Sequence, residues 1–412
     1  MLEYIVIDVR RAGGVHMFEW FGELLLGIGK IFLHPLLYIG AFYAVFLGYL
    51  RVKRERKNFH IRAQDGLYEW RTYGFKGITI GLVVSAVIIL VGIPVPFAFI
   101  ITVAAVSILL AFFIRPQMLS ASLTAGLSFF ILYIMTEFEY APPIFEEAFQ
   151  QVNANFIPLM AVIIGLLVMA EGFLIITNGS KNTSPKIVLS KRGQRVGVHE
   201  SKRLWMVPIL FLLPEGFFHA PFDWWPVLTL GETSYSLILV PYWIGFAQQI
   251  QGMLPKESIR LTGNRVLLLA ALVLAISIVG IWYPVASIIA VAVAIIGREC
   301  ISFIQRYQDD SLSTYFSKRN NGLMILGIIP YSAADHMGLQ VGEIITKVNG
   351  TTVNNERDFY IALQKNSAFC KLEVLDTNGE IRFAQRALFE GEHHELGLLF
   401  IGEEKQWESY AG

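Results

Sequence analysis

The sequence predicts a polytopic α-helical membrane domain of about eight or nine spans, followed by a small β/α domain. Three observations predict it. Only 16% of the 412 residues are charged and 54% are hydrophobic, against about 25% charged in ordinary soluble domains. Nine apolar segments crowd residues 31–297, and the mean hydropathy of the whole chain is +0.53. After Gly297 the composition changes to short apolar runs separated by turn signals, the pattern of a small mixed domain.

The apolar segments are Ile31–Leu50, Gly77–Ile93, Phe97–Ile114, Met118–Thr136, Ile157–Thr177, Leu204–Phe218, Ser234–Ile250, Val266–Tyr283 and Pro284–Gly297. A helix needs about 20 residues to cross a bilayer. Several segments are shorter, and Pro208, Pro214 and Pro241 interrupt the sixth and seventh, which are read as broken helices. Residues 1–16 lack an apolar core and cleavage site of the signal-peptide kind. Met17 opens a more membrane-like stretch and is an alternative start. The resulting division is an N-terminal segment 1–30, a membrane domain 31–297, a polar connector 298–321, a β/α domain 322–402 and a tail 403–412.

Orientation follows from Lys and Arg, which concentrate in cytoplasmic loops. Arg51–Lys76 holds eight of them, and Lys181–Arg203 holds seven. Lys256, Arg260 and Arg265 mark a third basic loop. Glu137–Phe156 has four glutamates and no basic residue, and His219–Thr233 is aromatic with none. The alternation suits nine spans and puts everything after Gly297 in the cytoplasm. The first basic loop has two readings: contact with anionic lipid, worth about 1 kcal/mol per basic residue, or a docking surface using Phe59, His60, Tyr68, Trp70 and Tyr73. Charge favours the lipid.

Catalytic patterns are lacking. His199-Glu200 is followed by Ser201-Lys202-Arg203, without the second His of a zinc helix, and His393-His394-Glu395 lacks the i, i+4 pair. Cys300 and Cys370 form no disulfide framework or ligand spacing. No cofactor, metal or enzymatic activity is expected, nor any nucleic acid or small-molecule substrate. Glu171 and His34 lie at membrane depth, where ionisable groups mark function by default, yet both are near an interface and read as structural pairing.

In the last domain, Leu323–Ile329 is a β-rich run ended by Pro330. Ser332 is placed to cap a short helix Ala333–Met337, which Gly338 closes. Gly342 opens a strand Glu343–Val348, and Asn349-Gly350 supplies a tight turn. Asn355–Lys365 reads as a helix with Phe359, Ala362 and Leu363 on one face, and Lys371–Asp376 with Glu380–Leu388 as a hairpin. The run Gly322–Gly350 resembles the PDZ family. That family carries its Gly-containing carboxylate loop and groove-edge strand before this point, whereas Gln308–Asn321 is polar and lacks them. The remaining candidate is Leu396-Gly397-Leu398-Leu399-Phe400, which implies a circular permutation. In that arrangement its amides cap a peptide carboxylate, its backbone accepts a peptide strand, and Phe359 and Leu363 belong to the opposite wall. The other reading is an ordinary last strand with no open groove.

The run Ile31-Phe-Leu-His-Pro-Leu36, the run Gly48–Arg62 and the overall plan resemble the MinJ family of cell-division topological determinants. The resemblance implies a scaffold at septum and poles of the bacterial plasma membrane. It would link DivIVA-like proteins, which mark curved membrane, to the MinC–MinD inhibitor of FtsZ-ring assembly, with other septal membrane proteins as further partners. The alternatives are a regulatory membrane protein whose PDZ domain reads peptide termini for a protease or secretion system, and a transporter-like protein with a regulatory tail. Glu390, Glu392, Glu395, Glu403, Glu404 and Glu408 make the end acidic, which would hold it off anionic lipid. An oligomeric state is not legible.

Overall fold

A computed structural model describes residue 22 and residues 25–219, 234–366, 368–388 and 396–402. Residues 220–233, the run His393-His394-Glu395, the acidic cluster and Met17 lie outside the described residues.

Seven of the nine apolar segments are helices. Helix α1 (Pro35–Phe59) starts on His34, whose ring Nδ1 accepts from Leu36 N at 3.3 Å, and stops where His60 turns left-handed at φ 60°. Helices α2 (Tyr68–Phe75) and α3 (Ile78–Val91) run on as one 24-residue stretch. Then come α4 (Phe97–Ala111), α5 (Ala121–Glu137), the short α6 (Glu146–Gln150) and α7 (Phe156–Leu174). Helices α8 (Pro255–Val279) and α9 (Pro284–Ser311) complete the set. Helix α9 continues 14 residues past Gly297, so more than half of the expected connector is helical. Five helical stretches have the length and apolarity to cross a membrane, and α4 and α5 are shorter apolar helices. This is a membrane domain. Helix α7 is its centre, where Gly165 and Gly172 admit Leu274 and Leu267 of α8 at distances a Cβ would forbid.

The sixth and seventh segments are not helices, which corrects the reading of Leu204–Phe218 and Ser234–Ile250. They form a long antiparallel hairpin of β2 (Arg195–His219) and β3 (Ser234–Ile250), extended at one end by β1 (Ser184–Leu189). Its side chains are buried on both faces, with Trp205, Ile209, Leu212, Trp243 and Ile244 all fully enclosed.

A strand among apolar helices must satisfy its outward amides and carbonyls. Pro208 lies opposite Pro241. Neither has an N–H, so theirs is a non-hydrogen-bonded pair and the polar groups of that register point out of the ribbon. In the same register Leu210 N donates outward to Ser85 Oγ at 2.8 Å, and Leu212 O accepts from Val95 N at 2.9 Å. Met206 O and Pro208 O rest against Gly77 and Gly81, where any Cβ would collide with them. Helix α3 therefore seals one edge of the hairpin with a serine and two glycines.

The C-terminal domain is β-rich. Strands β4 (Leu323–Met324), β6 (Ile344–Val348), β8 (Phe369–Leu375) and β9 (Ile381–Ala387) pair in that order, with β7 (Thr351–Thr352) against β6. Strand β5 (Gly327–Ile328) pairs separately with β10 (Leu398–Leu399). Helix α10 (Ala333–His336) is capped by Ser332, whose Oγ accepts from Asp335 N, and Gly338 beyond it has φ 67°. Helix α11 (Glu356–Gln364) is capped by Asn355, whose Oδ1 accepts from Asp358 N at 2.8 Å.

Candidate functional site

The C-terminal domain is held by a few strong local constraints. Arg382 of β9 donates to Glu343 from Nε at 2.7 Å and from Nη2 at 2.6 Å, and the same Nη2 donates to Gly338 O at 3.0 Å. Glu343 also accepts from Gln340 N at 2.8 Å. This pairing raises the Arg382 guanidinium above its ordinary range and ties the 338–342 turn to the far edge of the sheet. Around it Ile325, Val348, Phe359, Leu363 and Leu372 form a closed core. Cys370 is buried there, which pushes its thiol up to about 12 and makes it a packing group.

The segment Leu396–Phe400 returns to the start of the domain. Leu398 and Leu399 pair antiparallel with Ile328 and Gly327. Ile329 N donates to Gly397 O at 2.8 Å, Ala334 N to Leu396 O and Leu326 N to Leu399 O, both at 2.9 Å. Gly397 has φ 85°, and a Cβ there would strike Ser332, so only glycine suits the position. Phe400 meets Phe359 of α11 edge-on at 5.2 Å.

Of the seven expected site residues, Phe359, Leu363, Leu396, Leu398 and Phe400 share one buried cluster, and the side chains pack inward. Leu396, Leu398, Leu399, Phe400, Phe359 and Leu363 are each at most 5% exposed. The open space lies beside them, as a groove of about 460 Å³ between the start of α11 and the chain leading into β4. Tyr360, Leu323, Met324 and Ile401 supply its apolar wall, and Lys318, Arg319 and Arg357 its basic rim. Residues 317–319 carry no family signal. The visible hints were Tyr360, the residue after the buried Phe359 of α11, and the basic pair Lys318-Arg319.

The domain is docked on one end of the membrane domain. Gly197 N of β2 donates to Phe316 O, and Tyr315 N to Gln251 O, each at 2.8 Å. Phe316 is fully buried among Leu326, Met324, Ile187 and Leu254, with its ring 4.9 Å from that of His199. His199 shares a 2.9 Å bond with Thr183 Oγ1 through Nδ1. Its burial pushes the imidazole down to about 4, so it is neutral at pH 7.

The same end carries the basic segments, knitted into a buried ionic cluster. Arg51 holds Glu69 in a two-pronged bond of 2.6 and 3.0 Å, Glu55 at 3.1 Å and Asp65 O at 2.6 Å. Glu55 accepts in addition from Ala63 N at 2.9 Å and Ser184 Oγ at 2.7 Å. Arg54 pairs with Glu200, and Arg203 caps the 181–182 carbonyls beneath the Tyr68 ring. Arg51 and Arg54, two of the eight basic residues of the first loop, thus join α1 to the 60–76 loop and the hairpin.

Glu171 and His34 have structural partners. Glu171 is fully buried against Arg298 at 2.6 Å and accepts from Ala121 N at 2.8 Å, while His34 caps α1. Among the described residues no cluster of His, Cys, Asp and Glu is arranged to hold a metal.

No protein-family model matches the chain, and no solved structure does. Curated relatives do match. The chain is 40% identical over 397 residues to "Cell division topological determinant MinJ" of Bacillus subtilis (strain 168), covering 95% of this chain and 98% of that protein. It is 25% identical over 256 residues to "Probable cell division topological determinant MinJ" of Lacticaseibacillus paracasei, covering 60% and 66%. The same figures apply to the protein of that name from Lacticaseibacillus casei (strain BD-II). Similarity at 40% over nearly the whole of both chains takes in the membrane helices, the hairpin and the C-terminal domain together, and by it this chain belongs to the MinJ family.

Proposed function

We propose that the chain is a non-enzymatic membrane scaffold of division-site selection. It joins a DivIVA-like marker of curved membrane to a MinD-like partner of the MinC inhibitor, restricting septation to mid-cell. The observation carrying this reading is the end-to-end similarity to a cell division topological determinant. A multi-span anchor confines the C-terminal domain to the membrane plane, which raises its effective concentration for other membrane-bound proteins without demanding tight affinity. The basic segments lie at the end that holds the domain, and the Lys/Arg rule places such an end in the cytoplasm. A fluorescent fusion tests the reading. Septal and polar signal is expected, weakened by removal of residues 322–412; a diffuse membrane signal through the cell cycle would overturn it.

The C-terminal domain acts in this reading as a permuted PDZ-like module. The β10 backbone and the groove beside Tyr360 and Ile401 form its peptide-binding face, and the side chains of Leu396–Phe400 build the core beneath. Binding of a peptide would need β10 in place. Truncation after Glu392 abolishes partner capture if the reading holds, and intact capture by that truncated chain would exclude it.

A further inference from the structure

The membrane domain has a second cavity, far from the groove just described. It is a furrow of about 650 Å³ between α3 and α7. Its walls are Val83 and Val87 on one side and Met169 and Phe173 on the other. These face outward, with Val83 63% and Phe173 47% exposed, on helical stretches apolar enough to cross a membrane. One end is polar, with Lys76, Thr79, Thr177 and Asn178 at the mouth. Among the described residues Lys76 is the sole charged one lining the furrow, and no carboxylate lies along it.

Length and polarity together identify the occupant. From Lys76 to Val87 the chain advances 11 residues, or about 16 Å at 1.5 Å each. One leaflet of a bilayer hydrocarbon core is about 15 Å. The furrow is thus about as long as one leaflet is deep, apolar along its length, and closed by a cation at one end. We infer that it is a binding site for one anionic phospholipid, with an acyl chain between Val83 and Phe173 and the phosphate on Lys76 and the Asn178 amide. A basic residue near an anionic membrane surface is worth about 1 kcal/mol, so the site should prefer an anionic over a zwitterionic lipid by about fivefold.

The full chain, reconstituted with equal phosphatidylglycerol and phosphatidylethanolamine and then extracted into detergent, is weighed by native mass spectrometry. One retained phosphatidylglycerol is expected, at about fivefold the occupancy of phosphatidylethanolamine. Lys76→Ala brings the two lipids to equal occupancy. Val83→Trp, and Thr79→Trp as a second blocking variant, lose the retained lipid of both kinds while the melting temperature stays put, because both side chains are exposed. Equal retention of the two lipids by the unaltered chain would overturn the inference. So would a lipid-free dimer, or retention unaffected by both blocking variants.

Discussion

Replacing Ser85 by Ala tests the hairpin at its most exposed point of logic. Ser85 Oγ accepts from Leu210 N at 2.8 Å and donates to Gly81 O at 2.6 Å. In Ser85→Ala the Gly81 carbonyl keeps its helical amide, but the Leu210 N–H loses its acceptor. Leu210 is 6% exposed and its neighbours are apolar, so water cannot take over. An unpaired buried donor costs about 1–3 kcal/mol. With about 2–4 °C per kcal/mol for large domains, a central loss of about 2 kcal/mol lowers the melting temperature by about 4–8 °C. Trp205 and Trp243, fully buried in the hairpin, report unfolding in detergent through their fluorescence. Ser107→Ala is the control. Ser107 is equally buried on α4, yet its hydroxyl has no hydrogen-bond partner among the described residues. Removing it should leave the melting temperature unchanged or slightly raised. Were the two segments helices, Leu210 N would be bonded within its own helix and Ser85 would behave as Ser107 does. Equal shifts in the two variants would therefore refute the hairpin.

Other consequences follow from the buried pairs. Arg298→Met strands the carboxylate of Glu171 and should cost about 3–5 kcal/mol, whereas Glu171→Leu with Arg298→Met recovers most of the loss; thermal melts that rank the single variant no worse than the double would deny the pairing. Phe316→Ala empties the contact between domains at a cost of about 3–5 kcal/mol. It should speed tryptic cleavage after Lys318 or Arg319, and an unchanged digestion rate would show that the docking does not depend on this ring. His199 is held near 4 when folded against an ordinary 6.5, so the unfolded chain takes up more protons between those values. Stability is then full above about pH 6.5 and falls by about 3 kcal/mol as pH drops to 4. A His199→Gln variant should lack that part of the slope, and identical pH profiles would exclude His199 as its source.

What the residues revealed, and what they hid, follows from burial. The helices were legible because lipid and core both accept apolar side chains, leaving unbroken runs bounded by Gly or Pro. The C-terminal domain was legible through its turns: Ser332, Gly338 and Asn349-Gly350 stand where their chemistry predicts, while Asn355, read as the first residue of its helix, turns out to be its cap. The hairpin was not, because a strand buried on both faces loses the alternation that marks strands and reads as a continuous apolar run. Its signals were composition and proline. Ser234–Ile250 is rich in Tyr, Trp, Ile and Val, and Pro208 and Pro241 sit where a ribbon has outward positions to fill. The groove beside Tyr360 and Ile401 was hidden for the opposite reason. Apolarity singled out Leu396–Phe400, and the most apolar residues of a small domain become its core rather than its surface.

Replacing two expected helices by a hairpin does not change the parity of the crossings. A strand pair that enters from one end of the bundle and returns to it changes side twice, as two helices would. Its near ends, Arg195–Arg203 and Gln248–Gln251, meet α1 through Arg54–Glu200 and α9 through the Asp309 carboxylate, which accepts from Gln251 N at 2.8 Å and Gly252 N at 3.0 Å. Even if the hairpin stopped short of the opposite surface, its net contribution would be zero crossings instead of two. Seven helices alone put the end of α1 and the end of α9 on one side. The contacts of Phe316 with β2 require the same side, since a domain held by Gly197 cannot lie across a bilayer from it. The C-terminal domain therefore shares its side with the Arg51–Lys76 and Lys181–Arg203 segments by two routes, one from counting and one from contact, that do not depend on each other.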